Sequence, residues 1–357
     1  MWKLFTAVPL VFLITGGQSR SLTASGNLMP NQIANRAFQA KVHTLHHRKV
    51  LSPRQQKVAN DALLSLWRKD IEGWHFTGSL VAVNKALDGG ADVDAVGSYG
   101  FTPLMMSSVS GPIDVVSHLL AAGAAINARD NFAGTALICA AQNGHANIVK
   151  LLLDAGADKE AKEELGLTAL LCAAHKGHAG VVKLLLDAGV DKDAKSDAKA
   201  TALIEAAYQG YADVVKLLLD SGADKEAKDK LGATALTSAA FEGHATVVKL
   251  LVNAGVDKEA KTTGGLTALM CAAGTGHTDV VKLLLDAGAN KEAQSKHGLT
   301  PLMCAAHKGH AAVVKQLVNA GVDVNKRAFD GTTALSMARL QNHQDCIDAL
   351  VAAGATE

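Results

Sequence analysis

The amino-acid sequence predicts an all-α fold made of stacked pairs of short helices, and one repeat length carries this prediction. A threonine recurs every 33 residues, at Thr102, Thr135, Thr168, Thr201, Thr234, Thr267, Thr300 and Thr333. A leucine follows each threonine by two residues, and a glycine follows each by twenty-one; a second glycine follows by nine in every copy but the last, which has Asn342. A fixed period over eight copies is the signature of a repeat architecture.

The chemistry of one copy explains why each unit contains two helices and a loop. Thr168 carries a hydroxyl that can cap a helix start, and Gly177 ends that helix at a position that tolerates a positive φ. The apolar residues within 181–186 form the buried face of a second helix, which Gly189 stops. Such a unit cannot cover its own apolar faces, so the copies must stack.

Composition favours thin repeated units over a globule. Hydrophobic residues make up 48% of the chain and aromatic residues only 4%, so the interior must consist of Ala, Val and Leu. The 35 Lys and Arg nearly balance the 34 Asp and Glu, which gives no global reason to bind nucleic acid. This balance hides an asymmetry. Eight basic residues and no acidic one precede Asp61, which leaves 27 basic and 34 acidic residues, a net charge of −7, for the remainder.

The order of residues within each unit is itself distinctive. From Thr168 to Gly189 the sequence reads TALLCAAHKGHAGVVKLLLDAG. This resembles the ankyrin repeat, whose pattern is T-P-L-H-x-A-A-x-x-G-H-x-x-V-V-x-L-L-L-x-x-G-A-D. The resemblance covers about residues 65–357 and implies a solenoid of about nine helix-turn-helix-hairpin repeats, seven of them within 98–329. Ala133 and Lys199 stand where the family has glycine two residues before the threonine, so we expect these two loops to deviate from the usual hairpin.

Both ends of the array depart from the repeat pattern. A degenerate first copy, which we place with a preceding helix at 53–97, has Lys69 in the place of the threonine. Ser52 and Pro53, with Gln55, predict the start of that helix, which would cover the first exposed face. The apolar residues after this start are Val58, Leu63, Leu64, Trp67 and Ile71. The last copy, 330–357, is expected to be a C-terminal capping repeat with solvent-facing residues at Asn342, Gln344, Asp345 and Asp348.

The first residues have the pattern of a targeting segment. Lys3 precedes an apolar run over 4–15 and then small residues, which predicts a secretory signal peptide at 1–19. The run is shorter than the ~20 residues of a membrane-spanning helix, so no stable span is expected after its removal. A buried apolar element remains the alternative. Residues 20–52 predict a basic flexible linker, and their acid-free composition is also typical of a transit peptide behind a signal peptide. We therefore expect a secreted or exported protein, with organelle import through bipartite targeting as the alternative.

The cysteines and histidines fall into register and predict structural roles. Four of the five cysteines lie four residues after a repeat threonine: Cys139, Cys172, Cys271 and Cys304. Layers ~10 Å apart exceed the ~7 Å Cα separation that a disulfide permits, so we expect five free thiols. The same spacing prevents the histidines ten residues after the threonine from sharing a metal ion. No metal site, cofactor or nucleophile–base pair is predicted.

The resemblance implies that residues before each threonine, and those seven and eight after it, line a concave groove that holds partners. Six of the seven aromatic residues beyond residue 76 occupy such positions, and interfaces favour aromatic rings at their energetic centres. The candidate partner-binding residues are Tyr99, Phe101, Phe132, His175, Lys176, Tyr208, Gln209, Phe241, Glu242, His307, Lys308 and Phe329. For the loop aromatics Phe101 and Phe132, simple packing between neighbouring hairpins is an equal alternative.

These features predict an exported, monomeric, non-catalytic scaffold that binds another protein through its groove. Nucleic acid is not an expected partner, because the alternating Asp-Lys-Glu runs and the lysines of the second helices are interpreted as solvated faces. Two alternatives remain. One is an organelle-targeted structural or regulatory scaffold, and the other is an enzyme-associated subunit with activity outside the repeats.

Overall fold

The computed structural model describes residues 51–70 and 73–356 of the chain. The described residues form two compact units that divide between Glu164 and Leu165, and each is described by itself. The predicted signal peptide and most of the basic linker lie outside the described residues.

The first unit begins with a capping region and continues with two complete helix pairs. Its elements are α1 (Pro53–Leu64), β1 (Trp67–Asp70), β2 (Gly73–Phe76), α2 (Leu80–Asp88), a 3-10 turn (Ser98–Gly100), α3 (Pro103–Ser110), α4 (Ile113–Ala121), α5 (Ala136–Gln142) and α6 (Ala146–Asp154). The predicted helix start is confirmed. The Ser52 side chain accepts a hydrogen bond from the Gln55 N–H, and the Gln55 side chain accepts one from the Ser52 N–H.

The helix is shorter than the run of apolar residues suggested. It ends at Leu64, and the buried Trp67 lies in a β-strand instead, so its assignment to the capping helix is wrong. β1 and β2 pair antiparallel with Trp67 opposite Phe76, and β2 packs on α3. A β-hairpin therefore replaces the first helix of the degenerate copy. Lys69 supplies no capping hydroxyl there, and the local sequence is rich in aromatic residues, which favour strands over helices.

The second unit consists of six helix pairs. They are α7 (Ala169–His175), α8 (Ala179–Asp187), α9 (Ala202–Gln209), α10 (Ala212–Asp220), α11 (Ala235–Glu242), α12 (Ala245–Asn253), α13 (Ala268–Thr275), α14 (Thr278–Asp286), α15 (Pro301–Lys308), α16 (Ala311–Asn319), α17 (Ala334–Leu340) and α18 (Gln344–Ala352). The predicted fold class, an all-α solenoid of paired helices, is confirmed.

Each pair is built by the residues that recur. In the pair formed by α9 and α10, the hydroxyl of the buried Thr201 accepts the Ile204 N–H, which caps the first helix. Gly210 ends this helix with φ +82°, a conformation that glycine adopts without strain. α10 then buries Val214, Val215 and Leu218 along one face. Within each unit, first helices of successive repeats pack on one another, and so do second helices.

The two hairpins without the usual glycine keep the standard conformation, so the expected deviation is wrong. Ala133 has φ +61° and Lys199 has φ +59°, close to the +70° of the equivalent Gly232. The Lys199 N–H donates to the carbonyl oxygen of Ser196 at 2.8 Å, as the Gly232 N–H does to that of Asp229 at 3.1 Å. The stacked hairpins keep the standard conformation, and Ala133 and Lys199 therefore adopt a strained positive φ.

The Asp-Lys-Glu runs do more than face solvent, which corrects their interpretation as solvated faces. Glutamates 33 residues apart each accept a backbone N–H from the following repeat. The pairs are Glu226 with Asp257 at 2.9 Å, Glu259 with Asn290 at 2.8 Å and, from the equivalent Asn-Lys-Glu segment, Glu292 with Asp323 at 2.7 Å. The Lys225 ammonium group also donates to the carbonyl oxygen of Ala254, just beyond the end of α12. These runs therefore tie neighbouring repeats together. The lysines of the second helices, such as Lys216, are exposed as expected.

The last repeat ends the array with polar residues. Asn342, Gln344, Asp345 and Asp348 are all exposed, as the sequence predicted. Arg339, also exposed, stands where the preceding repeat has the fully buried Ala306. A guanidinium group at this position suits a solvent-facing side of the repeat.

Candidate functional site

The residues seven and eight positions after each repeat threonine lie at the ends of the first helices. Tyr208 and Gln209 end α9, and Phe241 and Glu242 end α11, which packs directly on α9. The Tyr208 side chain is 47% exposed, while Phe241 and Glu242 are partly buried. The structure thus brings these predicted residues together on neighbouring elements of the second unit.

A hydrogen-bonded cluster lies beside Tyr208. The Nδ1 atom of His175 is 3.0 Å from Oε2 of Glu205, with each side chain about one-fifth exposed. The Gln209 amide lies 3.4 Å from the same imidazole nitrogen. His175 and Gln209 were predicted site residues, and Glu205 joins them from the interior of α9.

Carboxylates set the electrostatics of this surface. The pKa of the Tyr208 hydroxyl is raised first by burial and then by the charge of Glu242, by a hydrogen bond to its carboxylate, and by Glu205. Burial also raises the pKa of Asp229, as does the charge of Glu205, while backbone N–H groups of Ala233 and Leu231 lower it. The charge of Glu205 contributes to both shifts, so this carboxylate lies near both Tyr208 and Asp229.

Glu205 is the member of this cluster that the sequence reasoning missed. It lies four residues after its repeat threonine, where the other copies have uncharged side chains. These are Met106, Cys139, Cys172, Ser238, Cys271, Cys304 and Met337. A carboxylate at a position that is otherwise small or apolar is costly to bury, and this departure from the pattern was the available signal.

The remaining predicted basic residues lie on either side of this cluster. Lys176 follows His175 at the end of α7 and is partly buried, and Lys308 ends α15 and is exposed. The pKa of His307 is lowered by burial and by the nearby charges of Lys308 and His343. Positive charge therefore occurs two repeats to each side of Glu242.

The loop aromatics of the first unit form their own stack. The rings of Tyr99 and Phe132 lie 6.5 Å apart between centroids at an interplanar angle of 29°, and each side chain is about half exposed. The ammonium group of Lys69 sits 4.0 Å from the centre of the Tyr99 ring, a cation–π contact. Phe101 is partly buried. Part of each ring surface is thus used for packing between neighbouring hairpins.

Phe329 belongs to the last hairpin of the second unit and is 72% exposed. Its backbone N–H donates to the carbonyl oxygen of His297 at 3.2 Å. The ring edge lies so close to Gly298 that a Cβ atom there would approach it to 2.7 Å. The hairpin backbone is therefore fixed, and most of the side chain remains accessible.

The histidines ten residues after the threonine have a structural contact in common. In five of these six histidines the Nε2 atom faces the carbonyl oxygen of the residue seven after the threonine in the preceding repeat. The pairs are His145 with Val109, His244 with Tyr208, His277 with Phe241, His310 with Gly274 and His343 with His307, at 2.8–3.2 Å. Among the described residues, no group of three or more His, Cys, Asp or Glu is arranged to hold a metal ion.

All five cysteines are buried free thiols, as predicted. Burial raises the pKa of Cys271 and of Cys304 to about 12. A thiol with such a pKa stays protonated at neutral pH, and the thiolate is the nucleophilic form. These cysteines therefore act as small core side chains.

No helix within 51–70 and 73–356 combines the length and apolar character needed to cross a membrane.

Comparison with known proteins assigns the family. The family model for ankyrin repeats matches residues 76–163, 137–229, 203–295 and 287–356, so it spans most of the chain. The chain belongs to the ankyrin repeat family. Ankyrin repeats indicate a scaffold for protein–protein interaction. A search of the curated proteins returned no match to this chain.

Proposed function

We propose that this protein is a non-catalytic, monomeric scaffold that binds one protein partner through the surface at the ends of α9 and α11. The observation that carries the proposal is the half-exposed Tyr208 ring beside Phe241. At the same position, other repeats have Gly274, Gln142 or Leu340. Because the helix pair forms with any of these residues, an exposed aromatic ring is not required for folding.

The polar groups around the rings support a binding role. His175, Gln209 and Glu242 offer donors and acceptors at the rim of an aromatic centre, an arrangement that interfaces favour. Lys308 and Phe329 add exposed groups at later repeats of the same unit. In the first unit, Tyr99 and Phe132 present the outer parts of their stacked rings. The mixed signs of charge on these surfaces give no single-sign stripe for a nucleic-acid partner.

The test is a double substitution, Tyr208→Ala with Phe241→Ala, compared with Val351→Ala. Val351 is half-exposed on α18, away from the groove positions, and serves as the control for loss of exposed apolar surface. Quantitative mass spectrometry identifies the proteins that the folded chain and the control capture but the double variant does not. These proteins are then purified and titrated against each variant. We expect binding to weaken by about 2 kcal/mol, roughly thirtyfold.

The same variants are melted to separate binding from folding. Each substitution should cost about 0.5 kcal/mol, as at ordinary surface sites. A large fall in melting temperature with unchanged affinity would show that the rings belong to the core, and the proposed site would then be wrong.

We also propose that the protein is exported. The support is the sequence of residues 1–19, a basic start followed by an apolar run and small residues. Sequencing the mature N-terminus tests this directly. Cleavage after Gly17 or Ser19 is the expected result, whereas removal of 30 or more further residues would indicate import into an organelle.

A further inference from the structure

Two carboxylates lie close to Tyr208 in the proposed binding surface. Glu205 lies three residues before Tyr208 on α9, and Glu242 ends α11, which packs directly on α9. After burial, the charges of Glu242 and Glu205 raise the pKa of the Tyr208 hydroxyl, and the charge of Glu205 also raises that of Asp229. These groups come from two adjacent repeats, so stacking brings them together where neither repeat alone would hold them.

The fold does not require these carboxylates. Glu205 is the one acidic residue in the sequence at its repeat position, four after the threonine. Glu242 is likewise the one acidic residue eight after the threonine, where other copies have Ser110, Asn143, Lys176, Gln209, Thr275, Lys308 and Gln341. Both exceptions fall on neighbouring helices beside an exposed tyrosine.

The charges are incompletely balanced within the described residues. His175 lies within ion-pair distance of Glu205, and it carries a positive charge only in its protonated form. Asp229 accepts the backbone N–H groups of Leu231 and Ala233 at 2.8 Å each, which are neutral donors. The described ion pairs give Glu242 no cation. A further positive charge placed against Tyr208 would meet carboxylates and an aromatic face together.

We propose that the rings of Tyr208 and Phe241, with the carboxylates of Glu205 and Glu242, recognise one arginine or lysine side chain of the partner protein. A guanidinium or ammonium group stacks favourably on an aromatic face and forms charge-assisted hydrogen bonds with carboxylates. This inference rests on the proposed function, because it names the chemistry of the partner at the same surface.

The flanking lysines restrict the partner further. Lys176 and Lys308 lie two repeats to either side of Glu242 and repel a strongly basic segment. The partner segment therefore presents one cation between neutral or acidic residues. Specificity would then come from attraction of one cation by the carboxylates and rings, together with repulsion of further basic residues by Lys176 and Lys308.

The test uses peptides selected from a random library of about twelve residues against the folded full-length chain. We expect selected peptides to be enriched in arginine or lysine at one position. For the tightest peptide, replacing that arginine by neutral, nearly isosteric citrulline (or a selected lysine by acetyl-lysine) should weaken binding at least ~tenfold, measured by fluorescence anisotropy. The Glu205→Gln/Glu242→Gln variant should bind both forms of the peptide equally.

A matched control removes the same two charges elsewhere. Asp187 and Asp286 are exposed at the ends of α8 and α14, where they pair with Lys183 and Lys282. The Asp187→Asn/Asp286→Asn variant should keep the preference for the charged peptide. Circular dichroism confirms folding of each variant, and Glu242→Gln alone serves if the double variant is unfolded.

The outcomes separate this inference from the proposed function. One outcome is that binding is lost in the Tyr208→Ala/Phe241→Ala variant but kept in the carboxylate variant. This would support the proposed binding surface and show that recognition of a cation is wrong. Equal losses in the carboxylate variant and the control would also overturn it, because the effect would then reflect net charge alone. Selection of no peptide, or of peptides without a basic residue, counts against it as well.

Discussion

Replacing Lys199 by glycine should stabilise the second unit. Lys199 is exposed at a hairpin where its φ is +59°, and five other hairpins of this unit have glycine at the same position. Those glycines are Gly166, Gly232, Gly265, Gly298 and Gly331, with φ between +70° and +84°. The native backbone at this position is thus one that glycine adopts freely and lysine does not.

The magnitude follows from two opposing effects. A side chain bearing a Cβ atom in the left-handed region costs about 1–2 kcal/mol. Glycine also gives the unfolded chain more conformational freedom, which lowers the stability of the folded state by roughly 0.4–1 kcal/mol. The net stabilisation should be about 0.5–1 kcal/mol, or ~1–4 °C in melting temperature for a unit of this size.

The assay is urea unfolding followed by far-ultraviolet circular dichroism, with Lys199→Ala as the matched control. Alanine removes the ammonium group but keeps the Cβ atom, so its midpoint should match that of the wild type. Ala133→Gly in the first unit is an independent second case, because Ala133 has φ +61°. A lower midpoint for Lys199→Gly would refute the reasoning. An equal rise for Lys199→Ala would also refute it, since the gain would then come from the side chain.

Two further predictions concern the thiols and the contacts between repeats. Thiol titration of the unfolded, unreduced protein should find all five cysteines, and finding about one would show that disulfides form. In the folded protein at pH 8, Cys271 and Cys304 should stay unreactive, because a pKa of about 12 leaves only ~10⁻⁴ of each as thiolate. Glu259→Ala should lower stability by ~1 kcal/mol in the same urea assay, because the Asn290 N–H loses its acceptor. Glu259→Gln keeps a carbonyl oxygen and should lose less, and equal losses would mean that charge matters more than this hydrogen bond.

The repeats were predictable because their period is regular and each recurring residue has a local task. Thr201 caps a helix and Gly210 ends it, whatever the neighbouring repeats contain. The β-hairpin at Trp67 was missed because apolar residues suited a longer helix, and packing of β2 on α3 became visible only in the structure. The conformation of Lys199 was missed for a related reason: the stacked neighbours impose the hairpin, and they override the preference of one residue.

The candidate site was predictable only in outline. Tyr208 and Phe241 followed from the resemblance, since they occupy positions that face a groove in this family. The pairing of His175 with Glu205 did not follow, because it joins residues 30 positions apart on different repeats. Charge placed at a core position was a visible signal, but its consequence depends on which groups surround it.

The histidine contacts between repeats do not depend on the side chain at the position that they contact. Each contact uses the main-chain oxygen of the residue seven after the threonine, which is the same whether the side chain is that of Val109, Tyr208, Gly274 or His307. Selection can therefore exchange the side chain at this position without weakening the joint between repeats. Under the proposed function, a few substitutions at these positions would give the protein a new partner and leave the contacts between its repeats unchanged.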